Sequence, residues 1–189
     1  MTILLIGLLI FFGIHSMSVI ALPLRDRLAA RSPLGWKGLY SIASLLGLVL
    51  IVMGYGELKT EPTILYTTPF WMRYVSAVLL LPFFVFFLAS LLPGRIQAKL
   101  KNPLLIATKT WALAHLLVNG ALADVLVFGS FLFWAVAVRV SLRNRAPRRY
   151  PRAPQSLAND AIVVIAGLAL YVATVLWLHE WLFGVPAVL

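Results

Sequence analysis

Residues 38–56 read GLYSIASLLGLVLIVMGYG, a run without one charged side chain, followed at once by Glu57. At a rise of about 1.5 Å per helical residue, a run of this length covers most of a hydrocarbon layer roughly 30 Å thick. Inside that layer the backbone must pair its own polar groups, so the run is read as a membrane-spanning helix. Ala43, Gly47 and Gly54 put small residues on one side of it, the pattern of close helix packing rather than of a site.

Working outward from this helix, the chain has 189 residues, 62% of them apolar and only 12% charged. Its mean hydropathy of +0.96 is far too high for one soluble domain. Six apolar stretches are long enough to span, near residues 2–23, 38–56, 70–92, 103–119, 121–139 and 160–183. The expected fold is all-α: a polytopic integral membrane protein of six transmembrane helices, forming one domain over residues 1–189 with no extramembrane domain. Breaks are expected at Pro23 and Pro33, at Glu57 to Pro62, at Pro93-Gly94, and at Pro147, Pro151 and Pro154. Asn119-Gly120 alone separates the fourth and fifth spans, which suits a tight turn between antiparallel neighbours. The first stretch has no basic residue before it and RDRLAAR after it, the reverse of a secretory leader, so it is read as a retained span that starts outside. With no transit sequence visible, the expected home is a bacterial cytoplasmic (inner) membrane.

The formal charge of +10 invites a nucleic-acid reading, but its distribution argues against one. Thirteen of the sixteen basic residues fall in three connections: Arg25, Arg27, Arg31 and Lys37; Arg95, Lys99 and Lys101; and Arg139, Arg143, Arg145, Arg148, Arg149 and Arg152. These are alternate loops of a six-span bundle. The positive-inside rule makes that side cytoplasmic and leaves both termini on the outer, periplasmic side. The partner they imply is the anionic headgroups of the lipid bilayer, not DNA or RNA.

The chain has no cysteine, which excludes disulfides, thiolate metal ligands, covalent haem attachment through C-x-x-C-H and thiol nucleophiles. It also lacks a Gly-rich phosphate loop, a zinc-protease motif and a nucleophile elbow. Any chemistry therefore rests on histidine or on a bound cofactor. Of the three histidines, His15 lies eight residues, about 12 Å, from the cytoplasmic end of the first span, and His115 lies twelve residues, about 18 Å, from the same face on the fourth. Both belong to the middle of the bilayer, whereas His179 falls near the outer surface beside Glu180. One intramembrane histidine is as readily an interhelical hydrogen bond as a functional group. Two at compatible depth can face a shared ligand.

Their helix faces agree with this. Thr108, Trp111, His115 and Asn119 follow helical spacing, with the small Ala112 leaving room one turn below the histidine. Phe11, Phe12, His15, Ser18 and Val19 make a comparable aromatic patch on the first span. Two neutral imidazoles among apolar and aromatic neighbours, with no carboxylate near them in sequence, suit a haem iron better than zinc, which wants further ligands and a hydrophilic pocket. Packed helices lie about 8–10 Å apart, so a macrocycle between spans one and four requires them to splay.

At these residues the chain resembles a known family. FFGIHS (11–16), GWKGLYS (35–41), LLGLVLIVMGYG (45–56), LLPGRIQAKLKNPLL (91–105), TWALAHLLVNG (110–120) and FGSFLFWAV (128–136) together resemble the NnrU family of bacterial membrane proteins. That family is named for an association with nitrite and nitric oxide reduction and is similar to the 15-cis-zeta-carotene isomerase of plants and cyanobacteria. The resemblance implies a six-helix membrane protein. Through the isomerase it implies haem b held by histidines at the positions of His15 and His115, and redox-dependent isomerisation of a hydrophobic polyene; Trp111, Ala112, Phe11, Phe12 and Asn119 are expected around the group from the helix faces they share with the histidines. Through the denitrification association it implies an accessory, non-enzymatic role in handling haem or a small gas ligand such as nitric oxide. Two positions depart from the pattern: Asn102-Pro103 stands where many members have His-Pro, and Ala112 stands where the isomerase has a cysteine. A thiolate ligand switch is thus impossible here.

Other polar residues are given ordinary roles. Lys109 is expected to snorkel; Arg25, Arg27 and Arg73 are equivalent candidates for a haem propionate; Asp124 is expected to be a plain interfacial acid. Pro82 should free the carbonyl of Val78 and kink the third span, and Phe83, Phe84, Phe86 and Phe87 are expected to face lipid. A purely structural subunit, its histidines bonding across helices, is the remaining alternative.

Overall fold

The computed structural model describes residues 1–144, 154 and 156–187. Arg145, Arg148, Arg149 and Arg152 of the third basic loop, with Pro147 and Pro151, lie outside the described residues. Regular structure among the described residues is helical: α1 (Thr2–Ile20), α2 (Leu22–Arg31), α3 (Pro33–Thr60), α4 (Met72–Leu80), α5 (Phe83–Ala89), α6 (Arg95–Leu100), α7 (Pro103–Leu116), α8 (Leu122–Ser141), α9 (Leu157–Ala173), a π-helical turn (Thr174–Leu178) and α10 (His179–Phe183). Five stretches of it are long and apolar enough to cross a membrane: Thr2–Ile20, Pro33–Thr60, Met72–Ala89, Leu122–Ser141 and Leu157–Phe183. The fourth expected span, α7, has only 14 residues. The protein is an all-α chain built for a lipid bilayer.

Two prolines expected as breaks act as helix starts. Pro23 sits in the first turn of α2 and Pro33 in that of α3, positions where the missing N–H is not needed. Ser32 caps α3, its hydroxyl oxygen accepting from Gly35 N at 3.1 Å. The second span therefore begins five residues earlier than the apolar run alone suggests, and the basic loop before it is itself a helix, with no buried residue.

The helices gather into two compact units. The first comprises Met1–Tyr66 and Ala121–Arg143. Here α1 and α3 run antiparallel along a glycine seam. A Cβ on Gly7 would stand 2.6 Å from Ile51 N, one on Gly47 2.8 Å from Phe11 N, and one on Gly54 would overlap the backbone of Leu4. Only hydrogen fits at these three places, so the backbones approach closely and dispersion contacts accumulate where lipid offers no hydrophobic drive. α8 packs beside them, parallel to α1, with Phe12 against Phe131 and then Trp134 (ring centroids 4.9 and 5.9 Å).

The second unit comprises Thr67–Gly120 and Asn144–Leu189. The break at Pro82 is present, but the carbonyl it strands is not that of Val78. Leu81 N tightens onto Val78 O at 3.2 Å, which leaves Ala77 O without its helical donor; Tyr171 from α9 supplies one at 2.8 Å. α9 runs antiparallel to α4 and α5, and at its start Asp160 accepts from Arg95 N (2.9 Å) and Ile96 N (3.1 Å). Asn159 Nδ2 donates to Pro93 O at 2.7 Å. Gly94 is required by this clamp, because a Cβ there would collide with the Asp160 carboxylate.

Candidate functional site

His15 lies on α1 in the first unit, half-buried, its Nδ1 donating to Phe11 O at 2.7 Å. A carbonyl only accepts, so the proton of the neutral ring is on Nδ1 and the lone pair on Nε2. Aromatic rings surround the imidazole. Phe11 stacks on it at 4.1 Å and 21°, Tyr40 leans in at 5.0 Å, and Trp134 meets it edge-on at 5.8 Å. Phe12 completes the wall through its contacts with Phe131 and Trp134. Tyr40 and Trp134 come from α3 and α8; they stand in the stretches GWKGLYS and FGSFLFWAV, but nothing in their spacing ties them to His15.

His115 lies on α7 in the second unit and repeats the arrangement, with Nδ1 donating to Trp111 O at 2.9 Å and the Trp111 ring 5.3 Å away. The end of the helix is fixed around it. Ser76, 5% exposed, donates to Ala114 O at 2.8 Å. The carbonyl of His115 accepts from Asn119 twice, through the backbone N (2.8 Å) and through Nδ2 (3.0 Å). Asn119 is thus a C-terminal cap for the histidine's own turn. Ala112 is fully buried, and Thr108 closes back onto Leu104 O at 2.9 Å.

His179 follows the π-helical turn, and its Nδ1 donates to Val185 O at 2.7 Å, folding the segment after Gly184 back on the helix end. Of the propionate candidates, Arg25 is already ion-paired with Asp26 at 2.7 Å and lies 6.0 Å from the Trp36 ring, while Arg73 lies over Phe70 at 5.2 Å. Among the described residues no three histidine or carboxylate side chains converge on one point.

Asp124 corrects the expectation of an interfacial acid. It is 1% exposed and accepts from Tyr55 OH (2.6 Å), from Lys59 Nζ (3.2 and 3.3 Å) and from Ala121 N (3.0 Å). Its carboxylate caps α8 and fastens it to α3 in one step. Nearby Tyr66, outside the spanning helices, has its hydroxyl pushed up from the usual phenol range, by burial first and by the Asp124 charge second.

Long apolar helices carrying imidazoles within their length define a helical membrane protein of the multi-pass class. The family model described as NnrU protein matches residues 3–187, nearly the whole chain, and the chain belongs to that family. No curated protein matches it, and no solved structure does.

Proposed function

We propose that this NnrU-family chain is an integral membrane haem b-binding protein, with His15 and His115 as the axial ligands, placed in the bacterial cytoplasmic membrane by six spans. The observation that carries the reading is the shared wiring of the two imidazoles. Each donates its Nδ1–H to the carbonyl one turn back, which sets the neutral tautomer whose lone pair is on Nε2. Metal-ligating histidines are oriented in this way by a hydrogen bond from their other nitrogen. Each imidazole also lies among aromatic side chains, Phe11, Phe12, Tyr40 and Trp134 for His15 and Trp111 for His115, the kind of apolar surroundings that suit a macrocycle.

When bound, haem would supply a one-electron couple and a binding place for a small ligand. His15 and His115 would hold the group, each kept in orientation by its hydrogen bond to the helix backbone. A thiolate cannot replace a departing histidine, because the chain has no cysteine and Ala112 stands sealed one turn before His115. This favours, beside isomerase-like action on a polyene, a second reading as a non-enzymatic haem or nitric-oxide handling accessory to nitrite and nitric oxide reduction.

An absorption spectrum of the purified protein tests the proposal. A Soret band is expected, and it should collapse in His15→Ala and in His115→Ala. Full haem content in both variants overturns the assignment. A polyene converted by the reduced protein would select the isomerase reading, and an unchanged polyene the accessory one.

A further inference from the structure

The C-terminal halves of α1 and α8 border a cleft of about 270 Å³, whose walls include Phe12, Ser16, Val19, Ser130, Phe133 and Trp134, all from the first unit. No charged side chain lines it. Its polar side-chain groups are the hydroxyls of Ser16 and Ser130, and they share an anomaly. Serine and threonine inside helices ordinarily return their hydroxyl to the carbonyl four residues back, as Ser44 does to Tyr40 O at 2.6 Å and Thr108 does to Leu104 O. Ser16 and Ser130 sit in helices of the same kind, yet neither makes a hydrogen bond among the described residues, and neither hydroxyl is sealed inside the protein. Polar groups left unpaired at an apolar wall are costly. Two of them on one cleft call for a ligand that brings acceptors.

We propose that this cleft binds the ring of an isoprenoid quinone. Its two carbonyl oxygens accept from the Ser16 and Ser130 hydroxyls, its flat face lies against Phe12, Phe133 and Trp134, and its tail runs out among the lipid chains. The lining excludes the main competitors. A phosphate or carboxylate headgroup would require a lysine or arginine in the wall, and a bare acyl chain would leave both hydroxyls unanswered. The volume falls just under the roughly 300–1,000 Å³ of sites that enclose a whole drug-sized molecule, so the ring and the start of the tail are held and the remainder is not. The inference does not depend on haem.

The full chain in lipid nanodiscs, haem-free or loaded, is titrated with a benzoquinone carrying a ten-carbon tail, and binding is read from quenching of tryptophan fluorescence. Saturable quenching is expected. Ser16→Ala/Ser130→Ala should weaken it about tenfold, the loss of two neutral hydrogen bonds. Ala137→Phe, which fills the cleft and leaves the donors in place, should abolish it. Decylbenzene, with the same tail and no carbonyl, should compete at least about tenfold more weakly. Quenching that rises linearly without saturation overturns the proposal, as does wild-type affinity in the double serine variant or equal competition by decylbenzene. Should Ala137→Phe fail to fold, the serine variant and the competitor decide the matter alone.

Discussion

Asp124 places a carboxylate at a position 1% exposed, where an ionised group persists only if its oxygens are fully engaged. Oδ1 takes the Tyr55 hydroxyl and the Lys59 ammonium, and Oδ2 takes the Ala121 amide with a second approach of Lys59. Removing the carboxylate strands three donors, whereas removing Lys59, whose side chain is 39% exposed, strands an acceptor that still has two partners. Asp124→Ala should therefore cost about 2–4 kcal/mol and Lys59→Met under about 1 kcal/mol, read as the difference in unfolding midpoints in detergent. Equal losses would mean that the ion pair, not the cap, carries the stability. None of this is legible along the chain, because the partners stand 65 and 69 residues away or belong to the backbone. The histidines are legible for the opposite reason. The carbonyl each one bonds lies one turn back on the same helix, within reach of sequence spacing. What the spacing cannot reach is the cage, since Tyr40 and Trp134 arrive from other helices.

The break between α4 and α5 shows how one proline propagates through an element. Pro82 has no N–H to give Val78, so Leu81 moves to that carbonyl and Ala77 O is left open, one residue further back along the helix than a simple deletion of one bond would suggest. In hydrocarbon an open carbonyl has no water to turn to, and the hydroxyl of Tyr171 answers it from α9. Tyr171→Phe should cost about 1–3 kcal/mol. Adding Pro82→Ala should return most of that, since a restored N–H to Val78 lets Leu81 bond Ala77 again. The double-mutant cycle measures this coupling in unfolding experiments, and additive losses would show that Tyr171 acts through packing instead. Proline alone announced the break; its repair depended on a phenol 94 residues away. Among elements, the small-residue side of α3 was readable because Gly47 and Gly54 are seven residues apart, two helical turns, and α1 fits against them. The helix α2 was not, because its arginines and flanking prolines carry the composition of a loop while both prolines serve as helix starts.

For the molecule as a whole, the side on which each terminus lies turns on α7. Its 14 residues extend about 21 Å, short of the roughly 30 Å hydrocarbon thickness, so length alone leaves five crossings and termini on opposite faces. Within the first unit, however, the segment after α3 is joined to the start of α8: Ile64 and Ala121 form an antiparallel bridge, and Leu122 N donates to Thr63 O at 2.8 Å. This junction supports the proposed six spans, in which the chain leaves α3 and enters α8 at one membrane surface and crosses an even number of times between. Met72–Ala89 is long and apolar enough for one crossing, and in the six-span proposal the stretch through α7 supplies the return, with α6 before it and Leu117 to Gly120 after it adding length. The charge pattern demands the same parity. With α7 crossing, Arg25 to Lys37, Arg95 to Lys101 and the loop that begins at Arg139 all fall on one side, whereas without it the richest of the three would be exported against the positive-inside rule. Reporter fusions should accordingly place both termini in the periplasm and a reporter inserted after Lys101 in the cytoplasm. Termini on opposite faces would make α7 a re-entrant helix, and His115 would then approach the bilayer centre from the cytoplasmic side on a segment that turns back.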